Sequence, residues 1–483
     1  MALYLPELTL LFMALVFFFA SLGNLKESRL RHLGLLLSAV AVIASVYSYG
    51  LKGSLFFDAY RVDAFSQLFK VIITFGLFIV IYLGEGLYGI DNTLRPEYYL
   101  FLTISAFGLV SMSSAVELIT IIICLEISSF ALFIIIPFRK QGAYRKQMEA
   151  GIKYALFGVA ASGITLYGMS YIFGMTHTTY LADLMKIIPG VILEKPLLLI
   201  GLVMLLCGFF YKLALFPMHF WAPDVYEGAA NETSSFVATL PKVAAVALLI
   251  RLISLAGAEA GQFTWVLMIF AVLSMTFGNL SALVQTDLKR LLAYSSIAHA
   301  GYLMIGLLCT SELGYLSGIY YITGYLFMNL ACFFVIYHLA PQGENISFDD
   351  ISFDDLKGLY KRSPLMALTL AVSAFGMAGI PPTIGFTGKL FIFTAAIKKD
   401  MYGLVILAVI NTGIAIFYYL KMVRAAYTSV DEQVSPLNLR VSTSVLGIFF
   451  IVIIILLGIF PQGFIDFAKE AVSATSTNRL HGR

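Results

Sequence analysis

Charge is scarce in this sequence. Asp, Glu, Lys and Arg make up only 12% of its 483 residues, against about 25% in soluble domains, and mean hydropathy is +0.90. That deficit excludes a soluble protein over most of the length. The formal charge is +3 and no basic block occurs, which excludes a nucleic-acid partner. Cysteine is as sparse: Cys124, Cys207, Cys309 and Cys332 stand singly in apolar segments, with no CxxC pair and no neighbouring histidine cluster. Metal and iron–sulfur ligation are therefore not expected, and each thiol reads as a small buried hydrophobe. The chain also lacks a Gly-rich dinucleotide fingerprint and a mid-span histidine pair suited to haem, so no cofactor is expected within it. The N-terminus has no basic n-region and carries Glu7, which predicts a retained first span and not a cleaved signal. No loop is large enough for a soluble domain. The tandem ISFDD-ISFDD at 346–355 lacks the glycine and terminal glutamate of a calcium loop and reads as a solvated connector.

Long apolar runs fill the rest. A helical span needs about 20 mostly apolar residues, and backbone groups in lipid must be paired internally, which leaves helices for segments of this length. The ruler predicts an all-α polytopic membrane protein with about fourteen spans, near 2–22, 33–51, 66–84, 98–115, 116–137, 150–174, 196–218, 234–257, 263–284, 291–309, 314–340, 364–398, 401–428 and 443–460. Odd-numbered loops such as GNLKESRLRH, PFRKQGAYRKQ and DLKGLYKRS hold more Lys and Arg than even ones. The positive-inside rule then puts odd loops in the cytoplasm and both termini outside, and the basic tail residues Lys469, Arg479 and Arg483 weaken that bias without reversing it.

Two spans carry helix breakers: Pro217 in the seventh, and Pro381-Pro382 in the twelfth. They lie five spans apart, as matching members of two five-helix units would. The expected organisation is three N-terminal helices (1–97), a first repeat (98–257), a second repeat inverted relative to it (263–428), and a last span with tail (443–483). Broken helices at matching positions of inverted repeats mark transport paths.

Ionisable groups at mid-span cost about 2.5–3.5 kcal/mol each on insertion scales, so each needs a reason. Glu126 lies near the centre of span five, Lys212 in span seven, Lys242 early in span eight, His299 in span ten and Lys389 in the second half of span twelve, with Lys153 near the start of span six. Bland readings stand beside the functional one. Lys153 can pair with Glu149 one turn earlier. Lys70, Arg251, Lys421 and Arg424 near span ends can snorkel, and His299 can be held structurally by Ser295 or Ser296. Glu126 and Lys212 can form a static ion pair; Lys389 has no acid near it in sequence. The functional reading is a proton line. Burial lowers a lysine pKa and a neighbouring carboxylate raises it, so a pair that parts and rejoins makes lysine release and take up a proton. A pKa unit is about 1.4 kcal/mol, against about 2.3 kcal/mol for a charge crossing 100 mV. The sizes match.

The segments LEISSFALF around Glu126, EAGIKYALFG around Lys153, KLALFPMHFWAPDVYEGA around Lys212, TDLKRLLAYSSIAHAGYLMIG around His299 and GIPPTIGFTGKLFIF around Lys389 resemble the antiporter-like membrane subunits of respiratory complex I, over nearly the whole chain. Lys389 argues against the sister chain M, which usually has glutamate there, and the long lateral helix expected of chain L is missing. The resemblance implies a subunit of a proton-translocating NADH–quinone oxidoreductase in the cell inner membrane. It implies Glu126, Lys212, Lys242, His299 and Lys389 as the proton line, with Lys153 on the input route. It also implies partners: a peripheral arm carrying FMN and iron–sulfur clusters, and membrane chains K and M beside this one in the lipid. The alternatives are a subunit of a multisubunit sodium/proton antiporter, which shares the Glu/Lys pattern, and a scaffold, which leaves the mid-span charges unexplained.

Overall fold

The computed structural model describes all residues except 1, 24–25, 85, 141–143, 193, 258–260, 340–350, 430–435, 438 and 477–483. The first ISFDD copy, part of the basic loop 137–147, and Arg479 and Arg483 lie outside the described residues.

The first three spans are α1 (Leu5–Ser21), α2 (Glu27–Tyr47) and α3 (Ala64–Leu83), with a small hairpin, β1 (Gly53–Leu55) and β2 (Tyr60–Val62), between α2 and α3. Then come α4 (Arg95–Ser114), α5 (Leu118–Ile135), α6 (Tyr144–Thr176), the short α7 (Leu181–Val191), α8 (Pro196–Leu205), α9 (Cys207–Leu213), α10 (Ala222–Gly228) and α11 (Asn231–Ile253). The second half holds α12 (Gly261–Leu283), α13 (Leu288–Leu308), α14 (Glu312–Leu339), the four-residue α15 (Leu359–Arg362), α16 (Pro364–Ala378), α17 (Ile384–Ile397), α18 (Tyr402–Tyr427), α19 (Val441–Ile459) and α20 (Gln462–Ser476). Among the described residues, twelve helical segments are long and apolar enough to cross a membrane, α8 and α9 counting as one. The remaining two expected spans are α4, which is long but more polar, and the broken pair α16 and α17.

Local chemistry sets the helix starts. Asp63 and Ser66 form a reciprocal capping box at α3, and Glu117 accepts the N–H groups of Ile119 and Thr120 at α5. Asp287 accepts from Arg290 N at α13, and each of these caps satisfies donors that a helix leaves open at its N-terminus. α11, α13 and α14 form the centre: every residue of α11 is buried, and nearly every one of α13 and α14. Helices with no face set aside for solvent or lipid belong in such a position. Around them α1, α2, α6, α12 and α18 turn Phe12, Ile43, Leu156, Trp265 and Phe417 outward, as a lipid-facing rim does.

Three features depart from the expected layout. Span seven does not end at 218. It stops at Leu213, loops through 214–221 and resumes as α10 to Gly228, because the apolar ruler does not register a re-entrant turn. The hairpin was not expected, and neither were α7 and α20, which are shorter than a span. The second ISFDD copy is a polar turn, Asp355 accepting from Ser352 N and Oγ.

Both interruptions follow from proline. In a continued helix the N–H of residue 217 would bond the carbonyl of Leu213, and those of 381 and 382 would bond Met377 and Ala378. Proline has no N–H to give. The chain turns away instead, through left-handed Ala214 (φ 58°) in one case and Gly379 (φ 83°) in the other, and three carbonyls are left open inside the bundle.

Candidate functional site

Two lysines fill those openings. Lys242, on the central helix α11, donates to Leu213 O at 2.9 Å and to the Ser296 hydroxyl on α13. Lys389, on α17, donates to Met377 O and Ala378 O, both at 3.1 Å. Each proline thus exposes an acceptor, and a buried lysine supplies the missing donor. The ammonium groups also lie over aromatic rings, Lys242 5.8 Å from the centroid of Tyr325 and Lys389 4.7 Å from that of Tyr302, an arrangement that favours a cation.

His299 on α13 stands between them. Its Nδ1 hydrogen-bonds the Tyr321 hydroxyl at 2.6 Å and its Nε2 the Tyr419 hydroxyl at 3.1 Å, and Tyr419 in turn bonds Ser295. Both Lys242 and Lys389 are within electrostatic reach of it. A cavity of about 10 Å³, lined by Leu213, Lys242, Ser296, His299, Tyr321 and Tyr325, separates Lys242 from the imidazole. That is about the space one water needs, though the surface facing it is apolar. Lys242, the cavity, His299, the Tyr302 ring and Lys389 therefore form a buried line across the middle of the molecule. An amine, an imidazole and phenols in that order can each accept one proton and give up another.

The first part of the expected line is looser. Glu126 on α5 is half-buried and accepts a hydrogen bond from Ser162 on α6. Lys212 is 1% exposed and its ammonium has no hydrogen-bond partner. No ion pair joins the two, so the static-pair reading fails. The carbonyl freed by Pro217 serves Lys242 and not Lys212, while Tyr211 O accepts from Trp221 Nε1 at 2.9 Å and from Ala214 N.

Lys153 pairs with Glu149 at 2.6 Å as its spacing predicted, and also with Asp224 of α10 at 2.5 Å. Asp224 is shared with Arg290 of α13, which also holds Glu227, and Glu227 holds Lys146. The acids of the DVYEGA segment thus clamp α6, α10 and α13 together at one end of the molecule. Their alternation with apolar residues on a seven-residue helix gave no sign of this, and the tyrosines of the central line were not among the residues singled out from sequence.

Two snorkelling assignments are corrected. Lys70 is fully buried and paired with Glu7 of α1 at 2.7 Å, both 0% exposed. Tyr60 of the hairpin donates to the same carboxylate at 2.5 Å; burial, then Glu7, push the Tyr60 phenol well above its ordinary value, so it keeps its proton. Arg251 is buried and held by Asp63 at 3.1 Å. Each has a carboxylate within reach on a neighbouring element, Glu7 on α1 and Asp63 at the start of α3. Lys421 and Arg424 are exposed.

A fold of this kind, with two broken helices whose open carbonyls hold lysines, defines an ion-translocating membrane protein. Comparison with known proteins fixes the class. Residues 115–415 match the family model for the transmembrane domain of the NADH:quinone oxidoreductase/Mrp antiporter family, and the chain belongs to that family. Within it, the chain is 44% identical over 476 residues to NADH-quinone oxidoreductase subunit N 2 of Opitutus terrae, covering 98% of each. It is similar to a chain of respiratory complex I from Thermus thermophilus, with TM-score 0.81 and 29% identity over 96% of this chain and 99% of that one. A chain of the Mrp complex from Dietzia sp. has the same fold, with TM-score 0.85, 16% identity and coverage of 98% and 96%.

Proposed function

We infer that this chain is a proton-translocating membrane subunit of NADH:quinone oxidoreductase. NADH oxidation and quinone reduction occur in other subunits, and this chain uses their energy to move protons through its buried line. The observation that carries the reading is the pairing of lysine with proline-freed carbonyl at Lys242 and Lys389, with His299 between. A lysine held by backbone dipoles is kept in place whether or not it is charged, so its proton can leave without the side chain being lost to another partner. Glu126 and Lys212 extend the line, and Lys153 with its clamp lies on the uptake side.

In this reading residues 98–257 and 263–428 are inverted repeats, each contributing one broken helix, with 1–97 and 443–483 packed around them. The partners are a peripheral arm with FMN and iron–sulfur clusters, and membrane chains K and M on either side. The chain lies in the cell inner membrane with both termini on the outer face. The Mrp likeness is one of fold alone at its level of identity, so the sodium/proton antiporter reading gains nothing specific from it.

The test is the assembled complex in proteoliposomes, with proton pumping followed beside electron transfer. Lys212→Ala or Glu126→Gln is expected to cut pumping strongly. Unchanged pumping in both would leave only a scaffold role, and ion movement that followed sodium without any electron donor would favour the antiporter.

A further inference from the structure

α11 is buried throughout, yet one face of it is polar. Glu232, Ser235, Thr239 and Lys242 follow one another at intervals of three, four and three residues, one above the next on a helix of 3.6 residues per turn. The stripe begins at a carboxylate that is 1% exposed. Gly89 N donates to its Oε1 at 3.2 Å, and its Oε2 has no hydrogen-bond partner. An open carboxylate oxygen in a buried site is costly and needs a purpose.

The cover over this carboxylate is bare backbone. A Cβ built at Gly89 would stand 2.9 Å from Oε2, and one at Gly84 would stand 3.4 Å from Cγ of Glu232. Gly89 is half-buried and Tyr88 beside it is exposed, so a single glycine-containing segment separates the acid from the surface. Lys289 and Arg95 are the cations within electrostatic reach of it. Lys289 donates to Ala229 O at 2.8 Å, one residue past the end of α10. This places Glu232 at the end of the molecule that carries the Lys153, Asp224 and Arg290 clamp.

Below Glu232 the hydroxyls continue inward. Ser235 donates to Glu232 O at 2.8 Å and Thr239 to Ser235 O at 2.6 Å. From Glu232 to Lys242 the rise is roughly 15 Å at 1.5 Å per residue, and it ends at the amine that borders the water-sized cavity beside His299.

We propose that Glu232 is a proton-uptake group that feeds Lys242 along this stripe, a route separate from the one through Lys153. It rests on the reading of Lys242, His299 and Lys389 as a proton line. A hydrated proton at the surface above Gly89 protonates the Glu232 carboxylate and leaves water behind. The acid passes it on, each hydroxyl taking one proton and releasing another, with a water bridging each gap of about one 5.4 Å turn. The neutral amine of Lys242 becomes ammonium, Glu232 returns to carboxylate, and the hydroxyls end as they began.

The test uses the whole complex in proteoliposomes, with NADH oxidation by a soluble acceptor as the check on assembly. Glu232→Gln is expected to lose several-fold in pumping rate, and Glu232→Asp to keep most of it. A purely structural role predicts the reverse order, because glutamine still accepts from Gly89 N and the shorter aspartate does not reach it. Wild-type pumping in Glu232→Gln, with Lys242→Ala defective, would overturn the proposal and leave the central line standing. Wild-type pumping in Lys242→Ala would remove the line itself and the proposal with it.

Discussion

Among single residues, the contrast between Lys242 and Lys212 is the most informative. Both are buried, but Lys242 has a carbonyl and a hydroxyl to hold it, and Lys212 has neither. Ser296→Ala should therefore leave Lys242 anchored by Leu213 O alone while opening the contact with Tyr226, whose hydroxyl bonds Ser296 at 3.2 Å. We expect slower pumping with assembly intact, read as protons moved per NADH oxidised. Glu7 and Lys70 make a different case. Removing one partner of a fully buried ion pair costs about 3–5 kcal/mol, whereas replacing both with apolar residues is often neutral. Lys70→Met should lower the thermal stability of the complex, and Glu7→Leu with Lys70→Met should restore most of it. Stability unchanged in Lys70→Met would mean that the pair is not closed in the membrane. The lysines and the glutamate at mid-span were readable from sequence because charge in an apolar run is conspicuous. Lys70 was misjudged because its partner is 63 positions away on another helix, a separation that periodicity does not reach.

At the level of helices, the two breaks do the same work with different residues at the turn. Ala214 takes a left-handed conformation that costs an L-residue about 1–2 kcal/mol, while at the second break Gly379 takes it freely. Gly379→Ala would add that strain and place a methyl 3.0 Å from Lys389 Cδ, pushing the amine off Met377 O and Ala378 O. The expected outcome is a folded complex with reduced pumping, larger in effect than Gly403→Ala on α18, where nothing lies within 4 Å of the added carbon. Equal effects from both would argue against Lys389 being held by those carbonyls. Both breaks could be placed from their prolines. The hairpin, α7 and α20 could not, since each is too short for the span ruler. The two helices are amphipathic, α7 burying Leu181, Leu184 and Ile188 on one face and α20 Ala468, Ala471 and Val472, a pattern that a count of apolar run length does not register.

Over the whole molecule, the charge bias of the loops predicts sidedness. A cysteine at Ser54 in the hairpin should react with an impermeant thiol reagent only from outside, and one at the exposed Lys140 only from within; the opposite pattern would invert the assignment of both termini. Three of the four native cysteines are buried and the fourth, Cys207, is half-buried, so background labelling should be low. The clamp of Lys146, Lys153, Asp224, Glu227 and Arg290 is only partly buried, and salt screens such pairs. Asp224→Asn should accordingly weaken pumping more at low ionic strength than at high.

What the sequence determined by itself was the kind of environment: composition and the length of apolar runs fixed a polytopic helical membrane protein, and proline and charge marked where its helices break and where ionisable groups are buried. These are properties of one segment at a time, set by local covalent geometry and transfer free energy. Partnership was decided only by tertiary structure. Lys242 meets the carbonyl freed by Pro217, Glu7 meets Lys70, and tyrosines from three helices surround His299, because a hydrogen bond or ion pair depends on angstroms between elements that sequence order leaves far apart.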